Sequence, residues 1–262
     1  MRALLWVLAV APALASGFDH SGWDKVLKSA VNPLGEVDYA ALKKDSAAID
    51  AYVERLAAIS PDNGEARFPT RKHELAYWLN AYNALVIQAA AQGYPVKSVR
   101  DLGFAYGFFW RRKHTLGGRQ MTLRSLENDI IRARYGDARI HFAIVCASMS
   151  CPRLDRDAFQ AETLDAHLDR LTRQFVSERR NVTMEEGSNT LTLSALFDWY
   201  AKDFGDARAY VLKYAGQPAR KAIEALGNPK VKFHDYDWSI NDPGSRRKAK
   251  SPLERELAAK GE

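Results

Sequence analysis

The sequence predicts a single α+β domain in which a buried central helix packs on a small, mostly antiparallel sheet. Residues 71–92 are apolar nearly all round, which is typical of a helix inside a domain. Residues 113–123 and 181–193 alternate around turn residues, which predicts two β-hairpins. Nothing repeats at a fixed period, and no Pro-, Gly- or Ser-rich stretch divides the body of the chain. One domain over residues 16–242 is therefore expected.

The elements before the first hairpin are predicted to be helices. Apolar residues recur at spacings of three and four over residues 19–59, and Asn32-Pro33-Leu34-Gly35 interrupts them. Two helices joined by a loop are expected there. The central helix then begins near Arg71 and ends at Gly93, because glycine commonly follows the last turn of a helix.

The second half is predicted to mix helices with short strands. A helix over residues 122–134 carries Glu127 beside its inner apolar stripe, and the apolar run 140–146 predicts a central strand covered on both faces. Ser194 is expected to cap a further helix. Helices at residues 158–176, 207–214 and 219–226 and a last strand after residue 230 complete the prediction.

Both ends of the chain are predicted to lie outside the domain. Residues 1–15 combine Arg2, an apolar run and small residues at Ala13 and Ala15, the pattern of a secretory signal peptide. The run is too short to span a bilayer, so the protein is expected in the periplasm or secreted. Residues 243–262 are rich in charges and are expected to form a disordered tail.

Charge and motifs exclude several function classes. The tail holds six basic and three acidic residues, and Arg2 belongs to the expected signal peptide, so the body carries only +2 of the formal charge of +6. A near-neutral body without interleaved basic and aromatic residues argues against a nucleic-acid partner. The absence of a glycine-rich phosphate loop, HExxH or GxSxG argues against nucleotide enzymes, zincins and serine hydrolases. No cofactor and no metal are expected.

Five segments together resemble the domain of unknown function 547 family: YWLNAYNALVIQ, LGGRQMTLRSLEN, RIHFAIVCASMSCP, LFDWYAKDF and YDWSIND. The resemblance extends over about residues 18–242 and implies an exported bacterial member of a family without an assigned activity. Two positions depart from the family pattern, Asn128 where His is more frequent and Val145 where Asn is more frequent. The positions that match the pattern are Asn80, Asn83, Glu127, His141, Cys146, Cys151, Pro152, Asp198, Tyr200, Asp237 and Trp238.

The two cysteines define two hypotheses. Cys146 and Cys151 are five positions apart, which suits a disulfide in an oxidising compartment. If they are free, Cys151, His141 and Glu127 are candidates for the nucleophile, base and orienting acid of a hydrolase or transferase. A buried helix followed by strands that carry His and an acid is similar to papain-like and transglutaminase-like folds, but the central helix here begins RKHELAYW, without their nucleophilic cysteine. If the fold is shared, a degenerate relative of these enzymes or a relocated site is expected.

The competing hypothesis is a non-enzymatic binding module of the cell envelope, with a structural disulfide. Its ligand would be a small molecule, a peptide or a glycan. The candidate binding residues are Asn80, Asn83, Trp110, Cys146 and Trp238. For the two amides, structural hydrogen bonds to loop backbone are the alternative, because a buried amide without a partner costs about 1–3 kcal/mol. The oligomeric state is not predicted.

Overall fold

The computed structural model describes residues 17–103 and 107–247. The expected signal peptide lies outside these residues, as do positions 248–262 of the expected tail. Residues 243–247, by contrast, form a short helix. None of the helices within the described residues has the length and apolar character needed to cross a bilayer.

The α+β class is confirmed, with helices far outnumbering strands. The α-helices in chain order are α1 Ser21–Ala30, α2 Tyr39–Lys44, α3 Ala47–Ala58, α4 Arg71–Gly93, α5 Gly107–Trp110, α6 Leu123–Ser125, α7 Ala133–Tyr135, α8 Leu164–Ser177, α9 Leu196–Trp199, α10 Ala201–Phe204, α11 Ala207–Tyr214, α12 Gln217–Ala225 and α13 Pro243–Arg247. Among the described residues, 3₁₀ segments lie at Glu65–Arg67, Val99–Asp101, Ala138–Phe142 and Glu186–Ser188, and a π-helical segment at Leu126–Arg132 joins α6 to α7.

The strands form two small sheets. In the first, β1 (Lys113–Leu116) pairs antiparallel with β2 (Arg119–Thr122). In the second, β4 (Thr190–Leu193) pairs antiparallel with β3 (Val182–Glu185) and parallel with β5 (Lys230–Phe233). Both predicted hairpins are therefore confirmed.

The central helix is confirmed, but its packing partners differ from the prediction. Helix α4 is buried along almost its whole length, and it packs mainly against α2, α3, α6 and the π-helical segment. The three-stranded sheet instead contributes Leu191 and Leu193 to a second apolar cluster around Phe142. A helix that is apolar all round needs cover on every side, and the surrounding helices supply it.

The predicted strand at residues 140–146 is wrong. Asp137 accepts a hydrogen bond from the Arg139 amide at 2.9 Å and begins a 3₁₀ helix, and an irregular buried segment follows it. The side-chain amide of Asn83 bonds this segment: its Nδ2 donates to the Ala143 carbonyl and its Oδ1 accepts from the Val145 amide, both at 2.9 Å. The Asn83 side chain thus makes the backbone hydrogen bonds that a neighbouring strand would make. The apolar segment can therefore be buried without belonging to a β-sheet.

The N-terminal region contains three helices, where two were expected. The additional break falls at Asp45 and Ser46, between α2 and α3. Asp38 caps the start of α2 by accepting a hydrogen bond from the Ala41 amide at 2.9 Å. Short polar side chains that bond nearby backbone favour helix ends over helix interiors, which explains why the apolar spacing alone did not reveal this break.

Candidate functional site

A hollow with a volume of about 330 Å³ opens where α4, the π-helical segment, the cysteine loop (residues 146–151) and α9 meet. Six of the eight predicted site residues line it: Trp110, Glu127, His141, Cys146, Cys151 and Trp238. The other lining residues are Tyr82, Phe109, Arg124, Asn128, Ile144, Val145, Pro152, Leu196, Trp199, Tyr200 and Tyr236. Residues scattered through the sequence therefore gather at one concave surface.

Asn80 and Asn83, the other two predicted binding residues, do not line this hollow. Both amides are buried on α4, and each bonds a loop backbone twice. The Asn80 Nδ2 donates to the Phe159 carbonyl at 2.9 Å, and its Oδ1 accepts from the Phe159 amide at 3.0 Å. Both amides therefore make structural hydrogen bonds to loop backbone, the alternative to ligand binding that the sequence left open.

Glu127 projects from the π-helical segment into the hollow. Its Oε1 accepts a hydrogen bond from the Tyr200 hydroxyl at 2.6 Å, and its Oε2 accepts one from the Tyr82 hydroxyl at 3.2 Å. Burial raises the pKa of the Glu127 carboxyl, and the two hydroxyls counteract part of that rise. π-helical turns are frequent at functional sites, and here the turn places a carboxyl group against an apolar wall.

His141 is paired with an acid that the sequence did not reveal. Its Nε2 lies 2.7 Å from Oδ2 of Asp203 on α10, and its ring stacks on Tyr200 with centroids 3.8 Å apart. Burial lowers the pKa of His141 to about 4, although Asp203 opposes this shift. At neutral pH the imidazole is therefore uncharged, with Nε2 carrying the proton that it donates to Asp203.

Arg132 completes this pair from the π-helical segment. Its Nε and Nη2 donate to the two carboxylate oxygens of Asp203 at 2.7 and 3.0 Å. These bonds hold the pKa of Asp203 below its ordinary value. The guanidinium also lies over the Tyr200 ring, 4.9 Å from its centroid. The side chains around His141 thus form a fixed polar network at the edge of the hollow.

The predicted Cys151–His141–Glu127 chain is not formed. The His141 ring nitrogen bonds Asp203, whereas the Glu127 oxygens bond two tyrosines. Cys146 and Cys151 are joined by a disulfide, with their Cα atoms 6.3 Å apart. A bonded sulfur cannot act as a nucleophile, so Cys151 does not have the assigned role in this state of the protein.

The cysteine loop is clamped by residues 237–241. Met149 and Ser150 donate backbone hydrogen bonds to the carbonyls of Ser239 and Asp237 at 2.9 and 3.1 Å. The Asn241 amide donates to the Ala147 carbonyl at 3.0 Å. Ala147 adopts a left-handed φ of 65°, a conformation that is uncommon for residues other than glycine. The disulfide and the clamp together hold the loop in this shape.

Aromatic rings form the outer wall of the hollow. Trp199, Tyr236 and Trp238 pack on one another, with ring centroids 4.6–5.7 Å apart. Trp110 and Arg124 also line the hollow, with the Arg124 guanidinium 4.6 Å from the Trp110 centroid. Trp110 is 59% exposed and Trp199 is 47% exposed. Two large indoles at one opening leave apolar surface in contact with solvent.

Sequence reasoning missed Tyr82, Arg132, Trp199, Asp203 and Tyr236 as neighbours of the predicted residues. Trp199 and Asp203 belong to the quoted segment LFDWYAKDF, and Tyr236 begins YDWSIND. The sequence signal that could have indicated these three residues is that their segments belong to the same family resemblance as RIHFAIVCASMSCP. The pairing of particular side chains depends on tertiary packing, which spacing does not report.

A larger depression of about 850 Å³ lies between the start of the described chain and residues 157–170. Its three histidines are engaged in structural bonds: His20 with the Tyr52 hydroxyl at 2.7 Å, His73 with the Thr70 hydroxyl at 2.9 Å, and His167 with Asp155 at 2.5 Å. It contains none of the predicted site residues, and we do not assign it a function. Within residues 17–103 and 107–247, no group of three or more His, Cys, Asp or Glu side chains could hold a metal ion.

Comparison with known proteins supports the resemblance drawn from the sequence. Residues 67–176 match the model of the family described as Protein of unknown function, DUF547. This range contains three of the five quoted segments and both cysteines, whereas LFDWYAKDF and YDWSIND lie beyond it. No curated protein matches the chain, and no solved structure does. Through residues 67–176, the chain is similar to the domain of unknown function 547 family.

Proposed function

We propose that the protein is an exported, periplasmic or secreted binding domain whose hollow takes a small ligand with a flat apolar face, such as a sugar ring or an aromatic peptide side chain. The observation that carries this proposal is the exposed indole pair, Trp110 and Trp199, at the opening. Large aromatic rings supply apolar contact area at a small cost in conformational entropy.

The size and lining of the hollow fit such a ligand. Its volume of about 330 Å³ lies at the lower end of the range for small-molecule pockets. Apolar and aromatic side chains dominate its wall, and polar atoms are few. Arg124 at the rim offers a positive charge, and the Glu127 carboxyl inside offers a polar contact. Such a mixture of apolar area with a few fixed polar groups is typical of ligand pockets.

Export accords with the disulfide. Disulfides persist in the periplasm and outside the cell but are rare in the cytosol, and the loop between Cys146 and Cys151 is closed by one. By fixing this wall of the hollow, the disulfide reduces the ordering that binding would require.

Tryptophan fluorescence tests the binding proposal. The protein is titrated with a panel of soluble cell-wall saccharides and aromatic dipeptides, and a saturable change is expected for one of the two classes. Trp199→Ala should weaken that binding about tenfold or more, as loss of an aromatic anchor usually does. Phe233→Ala, an exposed ring on β5 outside the hollow, is the matched control. Equal losses in both variants, or no saturable change in either class, would contradict the proposal.

An enzyme with acid–base chemistry is the second candidate. The observation that favours it is the buried Glu127 carboxyl with a raised pKa, because perturbed carboxyls are frequent at catalytic sites. The thiol-dependent hydrolase or transferase of the sequence hypothesis receives less support, since both sulfurs are bonded. If Glu127 is a general acid, Glu127→Gln should abolish turnover of any ligand found above while leaving its affinity within about threefold. Unchanged turnover would exclude this role.

A further inference from the structure

We propose that Cys146–Cys151 is an exchangeable disulfide that oxidises low-molecular-weight thiols entering the hollow. In this exchange Cys146 is the sulfur under attack, and Cys151 is the leaving thiolate. The proposal goes beyond ligand binding and does not depend on which ligand the hollow takes. It rests on three features of the cysteine loop: access, the hydrogen bonds on each sulfur and the size of the opening.

Access differs between the two cysteines. Both line the hollow, but Cys146 is partly exposed whereas Cys151 is only 5% exposed. A thiolate must approach the sulfur that it attacks along the line of the disulfide bond, so the more accessible sulfur reacts. The hollow of about 330 Å³ admits a small thiol to Cys146.

Hydrogen bonds also favour Cys151 as the leaving sulfur. The backbone amide of Cys146 donates to the Sγ of Cys151 at 2.9 Å, and the Tyr236 hydroxyl donates to it at 3.2 Å. Hydrogen bonds to a charged acceptor are stronger than those to a neutral one, so both donors would stabilise a thiolate at Cys151. A better stabilised thiolate leaves faster.

Ser148 supports the orientation of this donor. Its hydroxyl lies 3.1 Å from the Tyr236 oxygen and donates to it, which leaves the single Tyr236 proton for the sulfurs. Tyr236 lies 3.3 Å from the Sγ of Cys146, nearly the same distance as from Cys151, and the Ser148 Oγ lies 2.9 Å from the Cys146 Sγ. Because the single Ser148 proton is donated to Tyr236, this contact adds no donor to Cys146. The asymmetry between the sulfurs therefore comes from the backbone amide and from access, and Tyr236 contributes to the rate.

The exchange balances as follows. A thiolate attacks Cys146 Sγ, a new S–S bond forms between them, and the electron pair of the Cys146–Cys151 bond moves to Cys151. A second thiolate then attacks the sulfur of the bound thiol, which releases a small disulfide and leaves Cys146 as a thiolate. Two thiols lose two electrons, the protein disulfide gains them, and the two thiol protons pass to the cysteines or to solvent.

The point of attack can be read with glutathione as the probe. The folded full-length protein is mixed with reduced glutathione, quenched in acid and alkylated, and the tryptic peptide 140–153, which holds both cysteines, is fragmented in a mass spectrometer. A glutathione adduct on Cys146 together with an alkylated Cys151 is the expected intermediate. A predominant adduct on Cys151, or a disulfide that stays intact until the protein is unfolded, would overturn the proposal.

The contribution of Tyr236 is tested by rate. Tyr236→Phe should slow glutathione reduction of the folded protein about tenfold, because it removes one donor to the leaving thiolate. Tyr94→Phe is the control, since the Tyr94 hydroxyl bonds Asp242 and lies outside the hollow. Equal rates for Tyr236→Phe and the parent would refute the role of this donor. If Tyr236→Phe does not fold, Ser148→Ala takes its place and should slow the exchange by a smaller factor.

Discussion

His141 pairs with Asp203 across 62 positions of sequence, with Nε2 and Oδ2 2.7 Å apart. This pair occupies the place where a pairing of His141 with Glu127 was expected. The imidazole is held neutral by burial, and Arg132 compensates the carboxylate from the other side. The Glu127 carboxyl instead accepts hydrogen bonds from the Tyr82 and Tyr200 hydroxyls. The hollow consequently contains two separate ionisable groups, whose pKa values are displaced in opposite directions.

The depressed pKa of His141 predicts a specific dependence of stability on pH. Its pKa falls from an ordinary value of 6.5 to about 4 on folding, so the unfolded chain binds the proton first. Stability from this group is present above about pH 6.5 and is lost as the pH falls toward 4. At pH 4.5 the loss should reach about 2 kcal/mol.

His141→Gln isolates this contribution. Urea unfolding at pH 7 and pH 4.5 gives the change in the free energy of unfolding for the parent and the variant, and the change should be about 2 kcal/mol smaller in the variant. His20, His114 and His234 also have lowered pKa values, so a residual slope is expected. Identical slopes in the two proteins would show that His141 does not titrate in this way.

Glu127 should show the opposite dependence. Its pKa is raised on folding, so the native state keeps the proton to higher pH than the unfolded chain does. The stabilisation is complete below the unfolded pKa of about 4.5 and is lost as the pH rises through the folded value. Glu127→Gln keeps the shape and one acceptor but cannot ionise. Relative to the parent, this variant should therefore become more stable as the pH increases from 4 to 8.

Removing both hydrogen-bond acceptors of Glu127 distinguishes the stability that comes from its hydrogen bonds from the effect of its ionisation. Glu127→Leu leaves the Tyr82 and Tyr200 hydroxyls without their partner and should cost about 1–3 kcal/mol for each. Both variants are compared by urea unfolding at pH 7. A cost for Glu127→Gln as large as that for Glu127→Leu would mean that the ionised carboxylate itself stabilises the fold.

Some of the fold follows from local signals, and the rest depends on distant partners. The first hairpin was predictable because Gly117-Gly118 suits its turn, and both residues have positive φ values. The strand expected at 140–146 failed because the Asn83 amide replaces a neighbouring strand. Of the seventeen described residues that line the hollow, six were among the predicted site residues, and five of these six belong to the quoted segments. The His141–Asp203 pair and the disulfide were not determined by spacing, since both depend on which side chains tertiary packing brings together.

The buried amide of Asn83 should be important for stability. It makes two hydrogen bonds with the backbone of residues 143–145, and its side chain is buried. Asn83→Ala leaves a carbonyl and an amide unpaired and should lower the free energy of unfolding by about 2–5 kcal/mol. Asn228→Ala, at an exposed position, should change it by less than about 0.5 kcal/mol. Urea unfolding at pH 7 measures both.

The two glycines of the first hairpin turn provide a matched pair of substitutions. Gly117 and Gly118 have φ values of 54° and 77°, so an alanine at either position pays a strain of about 1–2 kcal/mol. A Cβ at Gly117 would also lie 2.0 Å from Ser60 Oγ and 2.7 Å from Ser60 Cβ, whereas a Cβ at Gly118 meets nothing within 4 Å.

Gly117→Ala should therefore destabilise the protein more than Gly118→Ala does. The amides of the two glycines donate to the carbonyls of Leu56 and Ala57 at 2.9 and 2.7 Å, so the turn is docked on α3 and cannot move away from Ser60 without losing these bonds. The additional cost should be about 1–3 kcal/mol, as for other overpacked contacts. Thermal unfolding of the two variants measures the difference. Equal melting temperatures would indicate that the turn shifts freely and that its docking on α3 contributes little.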